Sequence, residues 1–385
     1  MAGKKKKGIL SRNKGMIALV VVSFILGFLI GPLSDGILKG FFDKFVWDDN
    51  FLIEILNISI ILFIFLIGYI IHVLIHELGH LIFGLLSGYK FVSFRVGSFT
   101  IVREEGEFKV KRFNIPGTGG QCLMMPPEKE DGKFPFVIFN MGGVFLNLIV
   151  AFLTLLIAFS MEELSWIKVI LVLVSAGGIF AAITNGIPLR ISGITNDAHN
   201  VLTMLKDKDS SDSFYLQLRV NGLLTKGVRL KDMDYDEFIL EKDIDYANPL
   251  NFARVFINHN YHLDNMDFKK ANEALDFASD YLENTIAVYR MEWASEKLFL
   301  EIIGGCDSRR VERLYDKSLR KYIDSSKFML NKKRIMMAYE YIYKGNVDEG
   351  LKYYKELKEL AEKFPIKGEV DMEIMLAEHI KEMRQ

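Results

Sequence analysis

Residues 71–88 read IHVLIHELGHLIFGLLSG, and within them His76-Glu77-Leu78-Gly79-His80 spells H-E-x-x-H inside an almost unbroken apolar run. On a helix, residues four apart share a face, so both imidazoles can reach one Zn²⁺ ion while Glu77 approaches a water on that ion from the side. This is the arrangement that metal-assisted peptide hydrolysis needs. Two histidines leave zinc short of ligands, because a catalytic site has three protein ligands and an open position. The third must come from elsewhere in the chain. His72, one turn before His76, cannot complete the set: it lies about 12 Å along the axis from His80, whereas Zn–N bonds are about 2.1 Å long. A hydrogen-bonded or pore-facing role is expected for it.

The apolar run from Phe51 to Leu86 is long enough to cross a bilayer, where ionisable residues are expensive and serve a function. Around it the chain is segregated. Of 385 residues 50% are hydrophobic and the net charge is -1, but the apolar residues crowd into the first half and the charged ones into the second. A nucleic-acid-binding role finds no support in this balance. Cys122 and Cys306 are far apart and both expected on the cytosolic side, so no disulfide framework is expected, and neither has a C-x-x-C partner for metal.

A basic N-terminal segment, residues 1–15, carries Lys4 to Lys7, Arg12 and Lys14 and is expected to stay in the cytosol. Four spans are expected: Met16–Leu33, Phe51–Leu86, Phe134–Phe159 and Trp166–Ile187. With the first entering from the cytosol, His76 falls near the cytosolic end of the second. Between the second and third spans, Phe91–Val96 and Phe108–Lys111 alternate as strands about a turn at Glu104-Glu105-Gly106, giving a hairpin over about 90–115 at the membrane surface. Its free edge could pair with an extended substrate, or its apolar face could rest on lipid. The third span carries Gly143 and Asn147; the glycine permits close helix contact, and Asn147 serves either as packing glue or as a substrate or oxyanion contact.

The fourth span ends in a stretch broken by Gly186, Pro188 and Gly193 and followed by Asp197 and His199. Asp197 is the expected third ligand, with His199 as the competing donor and helix capping as the other role for Asp197. Beyond Val201 the composition turns charged and amphipathic. Residues 267–282 have helical spacing, and Asn346-Val347-Asp348-Glu349 reads as a capping box. A cytosolic helical domain over 201–385, similar to tetratricopeptide hairpins, is expected to recruit a protein partner or shield the mouth of the site.

These features together resemble the site-2 protease family of intramembrane zinc metalloproteases: H-E-x-x-H late in one span, G-x-x-x-N in the next (Gly143 to Asn147), then N-x-x-P followed by an Asp (Asn185, Pro188, Asp197). The resemblance covers about Phe51 to Asn200. Val144 stands where the family usually has Pro, and Ala198 where it often has Gly. The resemblance implies a three-helix transmembrane core, zinc held by His76, His80 and Asp197, Glu77 as catalytic base, and Asn147 and Asn185 as substrate or oxyanion contacts. It further implies cleavage of membrane-anchored substrates by a zinc-bound, Glu-activated water. The expectation is therefore an α-helical membrane protein, its protease domain over 16–200, in a bacterial cytoplasmic membrane with both termini in the cytosol. The competing reading keeps the fold as a membrane scaffold that has lost catalysis.

Overall fold

The computed structural model describes residues 40, 43–104, 106–113, 119–191 and 194–383. The expected first span at Met16–Leu33 and the basic segment before it lie outside the described residues. The chain divides into two compact units, one of residues up to Ser87 with Pro135–Leu202, the other of Gly88–Phe134 with residues from Thr203 on.

The first unit is built on three helices long and apolar enough to cross a membrane among the described residues: α1 (Phe51–Leu86), α2 (Phe136–Ser160) and α3 (Trp166–Gly186). Each forms because its backbone polar groups can be satisfied only internally once its apolar side chains leave water. Asn50 caps α1, accepting from Leu52 N at 2.9 Å, and Ser165 opens α3 by accepting from Lys168 N. Only 11% of the most apolar stretch of α1 is buried within the molecule, and Leu52, Leu56, Leu62 and Phe63 stand exposed, an apolar surface suited to the hydrocarbon of a bilayer.

Small residues decide how closely the three helices meet. A Cβ on Gly79 of α1 would stand 2.7 Å from Gly143 Cα of α2, and one on Gly177 of α3 2.8 Å from Tyr69 N of α1. With no hydrophobic drive between helices in lipid, such backbone contact supplies the van der Waals attraction that holds them. It also leaves a narrow interior, into which α1 projects the buried His72, His76 and His80. After α3 the chain forms a two-residue-per-strand hairpin, β5 (Arg190–Ile191) against β6 (Ile194–Thr195), and enters α4 (Asp197–Lys206).

The second unit begins with a sheet, β1 (Lys90–Val96), β2 (Phe99–Glu104), β3 (Glu107–Arg112) and β4 (Gly120–Met125), antiparallel throughout in the order β3-β2-β1-β4. This corrects the expected two-stranded hairpin. The chain reverses between Glu104 and Glu107, where a turn is expected, but the strand opposite Glu107–Arg112 is Phe99–Glu104, and β1 pairs on its other side with β4.

The rest of this unit is helical. Helices α5 (Lys208–Thr225), α6 (Pro249–Asp264), α7 (Phe268–Phe277) and α8 (Ala287–Gly304) precede two short helices, α9 (Ser308–Leu314) and α10 (Lys317–Ser325). Then come α11 (Leu330–Ala338), α12 (Val347–Ala361) and α13 (Lys367–Glu382). The periodic stretch at 267–282 is α-helical to Phe277 and continues as a 3-10 turn over Ser279–Tyr281, and Asn346 does cap α12, accepting from Glu349 N at 3.3 Å. Phe252, Val255, Leu263, Leu275, Leu298, Phe299 and Leu376 fill the core, and Phe113 of the segment after β3 joins them against Phe364. Inside this core Arg334 is fully buried between Glu296 and Glu373, at 2.9 and 2.7 Å, with its guanidinium 4.0 Å over the ring of Phe299.

Candidate metal centre

Helix α1 sets two of the three donors. His76 and His80 lie one turn apart on the face that meets α2, with ring centroids 4.7 Å apart and planes at 87°. Their Nε2 atoms are 3.1 Å from each other. Glycines make room for them: a Cβ on Gly143 of α2 would stand 2.5 Å from both Nδ1 and Cε1 of His76. The Nδ1 of His80 donates to the carbonyl of Phe139 at 2.8 Å, which fixes the hydrogen on Nδ1 and leaves Nε2 bare for a ligand.

The third donor comes from the far end of the unit. Asp197 Oδ2 lies 2.9 Å from His76 Nε2 and 3.4 Å from His80 Nε2. Its placement is the work of Asn196. The side-chain amide of Asn196 donates to the carbonyls of Thr184 at 2.7 Å and Ile187 at 2.6 Å, and its oxygen accepts from Leu189 N at 3.1 Å and His199 N at 3.0 Å. One side chain thus ties the end of α3, the chain after it and the first turn of α4 together. Asp197, next along, sits at the positive N-terminus of α4. Although burial opposes its ionisation, the neighbouring His80 and His76 hold the Asp197 carboxyl below the usual carboxylate range.

His76, His80 and Asp197 form the one group of this kind among the described residues whose ligand atoms all lie within 4.8 Å of one another, enough to hold a metal ion. Two imidazoles and a carboxylate are a donor set that zinc accepts, and the fourth position is left for water or substrate. His199, the competing donor, is half-buried on α4 outside this group. Glu77 follows His76 on α1 and is half-buried. Asn147 is fully buried and engaged by two histidines: its Oδ1 is 3.1 Å from His72 Nδ1 and its Nδ2 3.3 Å from His76 Nδ1. Asn185 is half-buried and donates to Ala181 O at 3.0 Å, one turn back on α3.

Sequence reasoning passed over Asn196. Its position immediately before Asp197 and a helical run was an available N-cap signal, but the two carbonyl bonds to α3 and the chain after it carry no local signature.

The family model described as peptidase family M50 matches residues 64–363, most of the chain. Neither a curated relative nor a solved structure matches.

Proposed function

Since the chain belongs to peptidase family M50, the site-2 protease family of membrane metalloproteases, we propose that it cleaves membrane-anchored substrates within or beside the bilayer, with His76, His80 and Asp197 holding zinc and Glu77 as the base. The observation that carries this reading is the convergence of Asp197, from beyond α3, on the two imidazoles of α1. Nothing about packing three apolar helices calls for a carboxylate at that point.

When bound, zinc acts as a Lewis acid that polarises a carbonyl and makes a neighbouring water acidic near neutral pH. The chain's own groups do the rest. Glu77 accepts the proton of the attacking water and returns it to the departing amide nitrogen. His80, locked by Phe139, and His76, seated on Gly143, keep their rings where the donor atoms meet. The apolar walls of α1, α2 and α3 exclude bulk water and strengthen each electrostatic contact inside. A substrate helix must unwind before cleavage, because its carbonyls are engaged in their own hydrogen bonds; Asn185 is the candidate polar contact for the opened strand, since both ends of the buried Asn147 amide are engaged by His72 and His76. We place the site toward the cytosolic face of a bacterial membrane, both termini in the cytosol, and assign the helical unit to recruiting a partner.

The test compares the purified chain with Glu77→Gln on a set of single-span substrates. Loss of cleavage by at least about a hundredfold is expected, the lower range for removing a general base. Equal cleavage by both would overturn the assignment.

A further inference from the structure

Three contacts run in line through the interior of the spanning helices: His72 Nδ1 to Asn147 Oδ1 at 3.1 Å, Asn147 Nδ2 to His76 Nδ1 at 3.3 Å, and His76 Nε2 to Asp197 Oδ2 at 2.9 Å. The chemistry of the amide fixes their direction. An amide nitrogen only donates, so His76 accepts at Nδ1 and carries its hydrogen on Nε2, which donates to Asp197. An amide oxygen only accepts, so His72 carries its hydrogen on Nδ1, and its buried Nε2 has no hydrogen-bond partner among the described residues. His80 has the opposite arrangement, with Nδ1–H directed at Phe139 O. The two imidazoles of the proposed centre are therefore in different tautomers. One that gives Nε2 to a metal must carry its hydrogen on Nδ1 and aim it at an acceptor. His80 is so arranged; His76 is not.

We propose that His72 is a positioning residue for His76, acting through Asn147, and that the hydrogen-bond line reverses when His76 gives Nε2 to a metal. In the reversed line the Asn147 amide is turned over. Its oxygen accepts from His76 Nδ1–H, its nitrogen donates to His72 Nδ1, and the hydrogen of His72 sits on Nε2. Each ring loses a hydrogen from one nitrogen and gains one on the other, so neither changes charge and the two together neither take up nor release a proton. The rings themselves have little room to move. A Cβ on Gly178 would stand 2.5 Å from His72 Nε2, as one on Gly143 would from His76 Nδ1, so each imidazole is seated against a bare stretch of neighbouring helix. Only the amide between them can turn without disturbing a backbone. Neutral imidazole suits position 72 because its Nδ1 can serve as donor or acceptor according to tautomer.

The inference rests on His76, His80 and Asp197 being the metal ligands. Its test is nitrogen NMR of the full chain in bilayers, with ring-labelled histidine, before and after one equivalent of Zn²⁺, the His72 signals identified by their loss in His72→Phe. The expected result is that His80 keeps Nδ1–H, His76 exchanges Nε2–H for Nδ1–H, and His72, which touches no metal, exchanges Nδ1–H for Nε2–H. In Asn147→Asp a carboxylate accepts from both rings, so His72 is expected to keep Nδ1–H with zinc bound. In Asn147→Leu the tautomer of His72 no longer responds to zinc. Retention of Nδ1–H by His72 in the zinc-loaded wild-type chain, with His76 and His80 shifted, would overturn the proposal alone. Zinc that leaves His76 and His80 unmoved would overturn the ligand assignment and the proposal with it.

Discussion

Substituting Gly143 by Ala tests whether the narrow seat under His76 governs metal binding. The added methyl would lie 2.5 Å from Nδ1 and Cε1 and 2.7 Å from Cγ of the His76 ring. Ordinary carbon contacts are about 3.5–4.0 Å, so ring and methyl must separate by roughly 1 Å. Retreat of helix α2 would forfeit the backbone contact that its neighbouring Gly142 makes with Gly79 of α1. The ring must give. A displacement of about 1 Å is several times the roughly 0.2 Å tolerance of a metal–ligand distance. If the usual overpacking cost of about 1–3 kcal/mol falls on the metal-ready arrangement, zinc affinity drops by about 5- to 150-fold at 1.4 kcal/mol per decade. Chelator competition on the detergent-purified chain reads this directly. Gly304→Ala, at a position with nothing within 4 Å, is the control expected to bind like wild type. Undiminished zinc affinity in Gly143→Ala would refute the argument that close helix approach sets the geometry of His76.

Asn196→Ala removes an N-cap worth about 1 kcal/mol and two further carbonyl contacts at about 1 kcal/mol each. Chelator competition should show zinc affinity falling by up to roughly a hundredfold although the residue is no ligand; an unchanged affinity would mean that Asp197 is held by something else. Arg334→Met strands the buried carboxylates of Glu296 and Glu373 and should destabilise the helical unit by about 3–5 kcal/mol, visible as a lower denaturant midpoint by circular dichroism. Glu369, half-buried, has its carboxyl pushed up to about 8 by burial and by the charges of Glu373, Glu292 and Glu296. Because the folded state then binds its proton more tightly than the unfolded one, whose value is near 4.5, stability from this group is present below about pH 4.5 and lost as pH rises toward 8. Glu369→Gln should flatten that decline and melt above wild type at pH 8.5; a parallel pH dependence in both proteins would count against it.

What could be read in the sequence was what local spacing encodes. His76, Glu77 and His80 share one turn of a helix, and the apolar runs that became α1, α2 and α3 are bounded within two residues of where the chain's hydropathy places them. Asp197 was legible as a carboxylate after a broken stretch, but its distance to the imidazoles depends on Asn196, whose partners Thr184 and His199 are 12 residues before and 3 after it. The sheet was only half legible for a similar reason. Gly120–Met125 looks like a loop that leads into Pro126, and it is a strand because β1 offers it an edge, Phe94 opposite Cys122. Pairing of that kind is a tertiary fact, and strand propensity is correspondingly weak evidence. The contact of His72 with Asn147 spans 75 residues; a hydrogen-bonded or pore-facing role for His72 was foreseeable from its axial distance to His80, but its partner was not.

The central claim is that two stretches of chain, His76 to His80 and Asp197, hold one zinc ion between them. Metal analysis of the purified chain beside Asp197→Ala tests it most directly. The account predicts one equivalent of zinc in the first and a loss of most of it from the second under the same chelator challenge. Zinc retained undiminished in Asp197→Ala would contradict it.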